Sequence, residues 1–260
     1  MEKDSEFPET VDRTLALLWR GSFGETQTRR GPKQRVSVDD VVRAGVEVAD
    51  SEGLTAFSVR KVADRLGLGA MSVYTYVPGR SELIGLMIDQ VTGEAGLEPH
   101  TGTFRADALR VARQVWDEIH AHPWLLTAET ARPWIGPNSM ARYEWQLSAI
   151  EGAGFTDLEM DRVITMLSGI AESSARASIG SQSARSESGM TDLEWWEINS
   201  PVLERFVSAE DYPIASRVGQ AAGQEYNAVT DPEGAFAFAL DRMIDGLELS
   251  LSLRQKPADD

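Results

Sequence analysis

The stretch Ser58–Val77, SVRKVADRLGLGAMSVYTYV, constrains the fold of this chain more than any other. Val59, Val62, Ala63 and Leu66 recur at i, i+3, i+4 and i+7, which gives one apolar helical face. Ser58 stands where its hydroxyl can cap the first turn. Gly67 ends the helix, because glycine enters the left-handed region without a Cβ clash, and Leu68-Gly69 carries the chain round. A second helix is expected from Ala70 to Val77, burying Val73 and stopped by Pro78-Gly79. Two short helices joined by a glycine turn of this length have the dimensions of a DNA-reading helix-turn-helix.

The flanking sequence supplies the rest of a small helical domain. Ser37 caps a helix expected over Val38–Ser51, with Asp39 and Asp40 in the turn where acidic charge suits the helix dipole. Its buried stripe is Val41, Val42, Gly45, Val48 and Ala49, and Glu52-Gly53 terminates it. Leu54 and Phe57 are placed to fill the space under the helix pair. A fourth helix, from near Ser81 to Thr92, carries Leu83, Ile84, Met87, Ile88 and Val91. That is more apolar surface than the edge of a small domain needs, so this helix is expected to pack also against something beyond Gly93.

Charge is divided unevenly. The chain of 260 residues has a formal net charge of −16, yet Arg29–Arg80 holds nine Lys/Arg against six Asp/Glu. A local basic excess is what a phosphate backbone senses, since fields fall off within about 8–10 Å at moderate salt. Thr10–Arg20 fits an amphipathic helix or a mobile tail, and Gly21–Gln34 reads as a linker. The linker closes on a basic run that includes Arg30 and Lys33, placed like an arm that follows phosphates or enters a minor groove. Absence of cysteine excludes a disulfide framework, and no apolar run reaches the length of a membrane span. A cytoplasmic protein is the expectation.

Past a boundary at Gly93–Gly102, helical patterns alternate with Pro/Gly breaks and no strand pattern appears. Helices are expected over Thr103–Ala121, Asn138–Glu151, Asp157–Ser178 and Asp192–Val207, the last bent or interrupted by Pro201. Ser181–Met190 is polar and low in complexity, and reads as a mobile loop. Asp231-Pro232 opens the final helix, with Phe236, Leu240, Met243, Ile244, Leu247 and Leu251 on its apolar face. Six of the seven tryptophans lie in this half. Ligand pockets are largely apolar and aromatic, so Trp116, His120, Trp124, Trp134, Met166, Ile170 and Trp196 are the expected lining of an effector cavity. For each of them taken singly, plain core packing is the competing reading.

Val38–Val91 resembles the DNA-binding domain of the tetracycline-repressor (TetR) family of transcriptional regulators. The matching residues are Ser51-Glu52-Gly53-Leu54, Ser58-Val59-Arg60-Lys61-Val62-Ala63, Leu66-Gly67, Ser72-Val73-Tyr74, Val77 and Arg80. His122-Pro123-Trp124, Pro137-Asn138, Gly154-Phe155 and the final helix resemble the family's regulatory domain. The resemblance implies an all-α protein with a three-helix helix-turn-helix domain and a helical domain for ligand binding and dimerisation. The parts are an N-terminal extension (1–36), a DNA-binding domain (37–92) and a regulatory domain (103–254).

It further implies that Ala70–Tyr76 lies in the major groove, with Met71, Ser72, Thr75 and Tyr76 at base edges and Arg60 reaching a guanine. Ser58, Lys61, Tyr74 and Arg80 fit phosphate contacts, though Tyr74 and Tyr76 also fit core packing. The expected partners are double-stranded DNA, a small apolar or aromatic effector and a second copy of the chain. The dimer surface is expected on the helix from Asp157 and the final helix, including Val163, Leu167, Phe236, Leu240, Met243 and Leu247. No cofactor or metal is expected: the position of the family's magnesium-liganding histidine is Ala128 here, which argues against tetracycline as effector.

Neither a glycine-rich phosphate loop nor a GxSxG elbow nor a cysteine nucleophile is present, so an enzyme is not the reading. Effector-induced release from a palindromic operator is the expected mode. Ligand-promoted DNA binding, or an all-α ligand-binding protein that no longer reads DNA, are the alternatives.

Overall fold

In the computed structural model the described residues are 9–21, 36–128 and 134–255. Arg30, Lys33 and the basic run around them lie outside this set, as do Arg132-Pro133. The described residues form eleven α-helices and one 3-10 turn, which makes the chain all-α. Two compact units result, residues 1–164 and 165–260.

The first unit begins with α1 (Glu9–Leu18), so the amphipathic pattern near the N-terminus does make a helix. α2 (Val38–Ala56) starts on a capping box: the Asp40 amide donates to Ser37 Oγ at 3.1 Å, and the Ser37 amide to the Asp40 carboxylate at 2.9 Å. Gly53, at φ +73°, breaks the helix where expected, but one more turn follows and carries Leu54 into the core. α3 (Val59–Leu66) ends at Gly67 with φ +67°, and the Leu68 amide reaches back to the Ala63 carbonyl at 2.9 Å.

The next helix is shorter than its sequence pattern. α4 covers only Ala70–Val73, and Tyr74–Tyr76 turn more tightly. The Thr75 and Tyr76 amides bond three residues back, to Ser72 and Val73, and Thr75 Oγ1 takes the Ser72 carbonyl at 2.6 Å. A hydroxyl that bonds its own backbone competes with the helical ladder, and Pro78 forbids continuation. α5 (Arg80–Thr92) then runs through the middle of this unit. Val41, Val42, Val62, Ala63, Val73, Val77, Leu83 and Met87 are 0% exposed and form the core of the reading head.

This first unit does not stop at Gly93. α6 (Phe104–Ala121) leads into the 3-10 turn Pro123–Thr127, which packs on α2, and α7 (Pro137–Ser148) packs on α5. The surplus apolar face of α5 is what α7 covers. Helix α8 (Asp157–Ser188) crosses from one unit to the next.

α8 overturns the expected loop at 181–190. Its polar C-terminal turns hold no proline and no glycine between Ser181 and Ser188, and Gly189, at φ +66°, provides the stop. Polarity marked solvent exposure there, not a broken helix. The second unit continues with α9 (Asp192–Leu203), which accommodates Pro201 and ends four residues before the expected Val207. α10 (Pro213–Tyr226) is a helix that the sequence reading did not expect. α11 (Pro232–Gln255) opens on Asp231, whose carboxylate accepts from the Gly234 amide at 3.0 Å.

Candidate nucleic-acid interface and regulatory cavity

The reading face is built by α3 and α4. Met71 is 77% exposed, and Ser72, Tyr74 and Thr75 are also exposed, while Ala70 and Tyr76 lie half-buried against the core. Val73 faces inward, fully buried, and holds α4 onto the core. Arg60 is exposed at the second position of α3, with no ion-pair partner among the described residues.

The other basic candidates are differently employed. Lys61 Nζ pairs with Glu52 and donates to the Ala56 carbonyl at 2.8 Å. Arg80 donates to the Leu54 carbonyl at 3.0 Å and lies 5.6 Å from the Phe57 ring centroid. Ser58 accepts from the Lys61 amide at 3.3 Å, so its hydroxyl serves as the cap of α3. These contacts leave Arg60 as the freest cation on the reading face.

Two buried polar connections tie α5 to the elements beyond it. Asp89, 5% exposed, accepts from the Ser139 amide at 2.9 Å and from Ser139 Oγ at 2.8 Å, so a carboxylate on α5 caps the start of α7. Asn138 returns the tie by donating to the Asp89 carbonyl at 3.0 Å. Arg142 on α7 donates to Glu118 of α6 at 2.9 Å and to the Thr92 carbonyl at the end of α5, also at 2.9 Å. A glycine at position 85 lets the Trp134 indole lie directly on α5, where any Cβ would collide with it.

A third connection reaches the reading head. His122 is 8% exposed, with Nδ1 2.8 Å from Asp50 on α2 and Nε2 3.1 Å from Glu94 after α5. Trp124 Nε1 donates to the same Asp50 oxygen at 2.7 Å. Two carboxylates can both accept from one imidazole only if both ring nitrogens carry protons. Burial alone would lower the His122 pKa, but the hydrogen bonds and charges of Asp50 and Glu94 outweigh it and raise the value above that of an ordinary imidazole. The sign follows from linkage. Stability from this contact is full below the unfolded imidazole pKa, about 6.5, and is lost as pH rises through the higher folded value. His122→Gln should therefore flatten the alkaline side of the melting-temperature profile. A profile unchanged in shape would show that His122 is not the titrating group.

Beside this cluster lies a cavity of about 420 Å³, lined by the end of α5, residues 94–98, α6, His122 and Trp145. Glu94, Glu98, Arg110, Gln114 and Glu118 give it a polar rim. None of the seven expected effector residues lines it. Trp116 and Trp124 are 5% and 3% exposed and belong to the core, and His120 stacks on Trp116 at 4.4 Å. Trp134 borders a smaller hollow of about 250 Å³ with Ile88, Met140 and Tyr143. In the second unit Met166 and Trp196 are 47% and 48% exposed, and Ile170 is half-buried.

Most of the residues expected at the dimer surface are covered within one chain. Val163, Leu167, Phe236 and Leu240 are 3% exposed or less within one chain, and Met243 and Leu247 are half-buried. A side chain already buried in the protomer has no surface left to offer a second copy. The outward apolar residues of α11 are Phe238, Leu249 and Leu253, each at least 60% exposed.

A glycine-turned helix pair, exposed small and aromatic residues on its second helix and an unpaired arginine on its first define a helix-turn-helix DNA-binding regulator. Residues 96–251 match the family described as tetracyclin repressor-like, C-terminal domain. The chain is 37% identical over 250 residues to the HTH-type transcriptional repressor DrrR1 of Streptomyces coeruleorubidus, covering 94% of this chain and 88% of that one. It is 31% identical over 226 residues to an HTH-type transcriptional regulator of Saccharopolyspora erythraea, covering 86% of this chain and 91% of the relative. Among solved structures, ActR from Streptomyces coelicolor in complex with actinorhodin shares the fold, with a TM-score of 0.67 at 24% identity over 82% of this chain and 95% of ActR. The chain belongs to the tetracycline-repressor family of transcriptional regulators, which are DNA-binding proteins and not enzymes. No helix among the described residues is long and apolar enough to cross a membrane.

Proposed function

We propose that this protein is a repressor that binds a near-palindromic operator as a homodimer and is released by a small molecule with an apolar or aromatic body. The observation that carries the DNA reading is Arg60, exposed on α3 beside the outward residues Met71, Ser72 and Thr75. Dimerisation is supported by α9 and α10, which have no buried residue in a single chain. Trp195, Trp196 and Ile198 on α9 and Phe206 just after it stand 40–78% exposed, and such apolar helices gain stability by covering one another across an interface. A two-fold axis would set the two reading segments one DNA turn apart, about 34–36 Å.

Effector action is supported by the cavity of about 420 Å³ beside the contacts of α5 and α2. A ligand acts only through different affinities for two arrangements. Filling this cavity would move Glu94, His122 and Glu118, and with them the ties to Asp50 and Arg142. Altered spacing of the two reading heads would follow. Probe distances between the heads that stay constant on effector binding would remove this mechanism.

The deciding experiment titrates the protein against DNA from upstream of its own coding region, at several salt concentrations. Steep salt dependence is expected. Arg60→Ala should weaken operator binding by roughly 5–150-fold, the worth of one bidentate arginine–guanine contact at about 1–3 kcal/mol, and relax one base position. Equal affinity and unchanged base preference would remove Arg60 from the reading face. Addition of candidate aromatic compounds then gives the sign of the ligand effect.

A further inference from the structure

We propose that the N-terminal helix α1 is a working part of the reading head, and that Arg13 is a positioning residue for the recognition segment. The inference rests on the DNA-reading role proposed above. Thr14 is fully buried and Leu18 is 3% exposed, while Leu17 and Trp19 pack against the core that also holds Val41, Val73 and Leu83. Thr14, Leu17 and Leu18 fall at i, i+3 and i+4, so one face of α1 is spent on this docking. α1 is thus fixed to α5 and is no loose tail.

Three polar ties spread from the docked helix. Arg20 Nε donates to Asp39 Oδ1 at 3.0 Å, at the start of α2. Trp19 Nε1 donates to the Ile135 carbonyl at 3.0 Å, in the segment that enters α7. Arg13 Nη2 donates to the Thr75 carbonyl at 3.1 Å, across 62 positions of sequence. This last contact falls on the recognition segment itself.

The segment needs such support. α4 has four residues, too few to be stable alone, and the carbonyls at its end have no further helical turn whose amides could donate to them. Thr75 Oγ1 satisfies the Ser72 carbonyl, and the guanidinium satisfies that of Thr75, where positive charge also suits the negative end of the helix. Through these two bonds the backbone that presents Thr75 and Tyr76 is held in register with Met71 and Ser72. Arg13 therefore acts through Thr75, and its contribution is to the geometry of the reading face.

The test compares full-length wild type with Arg13→Ala and Arg13→Lys. Operator affinity is measured across salt concentrations, alongside non-operator DNA, thermal stability and amide exchange of Ser72–Val77 in the free protein. With Arg13→Ala, operator affinity should fall about 5–10-fold, as for loss of one hydrogen bond. Non-operator binding, melting temperature and salt slope should stay unchanged, amide exchange should quicken several-fold, and Arg13→Lys should restore part of the loss. Operator affinity and exchange both at wild-type values would overturn the proposal. A salt slope reduced by about 0.9, with equal loss on both DNAs, would make Arg13 a phosphate contact and would also overturn it. If the wild type binds no DNA, the function proposed above fails, and the exchange rates still decide whether Arg13 orders the segment.

Discussion

Truncation of Glu118 to alanine is expected to destabilise the first unit by about 3–5 kcal/mol, the usual cost of leaving a buried charge without its partner. Arg142 is 7% exposed at its side chain and Glu118 is 12% exposed, so both are largely withdrawn from solvent. The guanidinium would keep one donor bond, to the Thr92 carbonyl, and lose its neutralising carboxylate. Glu118→Gln keeps an acceptor without the charge and should cost less. Replacing both residues with apolar ones of similar volume should cost less than either truncation, because the desolvation penalty disappears with the pair. Urea unfolding followed by tryptophan emission reads all three variants. A loss below about 1 kcal/mol for Glu118→Ala would place the pair in solvent and sink the argument.

Asp89→Ala should act on both stability and regulation. The carboxylate supplies from α5 the acceptor that the first turn of α7 lacks, with Ser139 as partner through both its amide and its hydroxyl. Losing it strands two donors in a buried place, for an expected cost of about 2–4 kcal/mol. Asparagine at 89 retains one acceptor and should fall between. The functional expectation is that operator affinity without effector changes little while the effector shifts it less, since these bonds hold α7 and its Arg142, one of the two ties proposed above to carry the effector's signal. Effector titrations on operator-bound protein measure this. Normal ligand release in a folded Asp89→Ala protein would mean that coupling runs elsewhere, with the His122–Asp50 contact the next candidate.

Both predictions concern residues that sequence reading passed over. Asp89, Asp50, Glu94 and Glu118 are ordinary acids on helices whose polar positions read as solvated. Nothing in their spacing shows that a partner 24 to 74 residues away meets them in a buried place. His122 was visible as part of His-Pro-Trp, but its two carboxylates were not. The tryptophans left two readings open: in the first unit Trp116 and Trp124 fill core, the reading each of them carried when taken singly, because large apolar side chains satisfy either role equally well.

Periodicity and local chemistry in the sequence determined the helix-turn-helix: the apolar face of α3, the cap at Ser58, the left-handed Gly67 and the stop at Pro78. These are short-range effects, settled within one or two helical turns, which is why they can be read without a structure. The cap at Ser37, the start of α11 at Asp231 and the all-α class follow from the same local rules. Only the tertiary structure decided that α4 is a single turn supported from α1, that the helical path continues to Ser188, and that α7 is capped by α5. It also decided what the apolar face of α11 is covered by, because an amphipathic pattern fixes two faces and not their neighbours. Those outcomes depend on groups brought together from distant parts of the chain, whose energies exist only once the helices have packed.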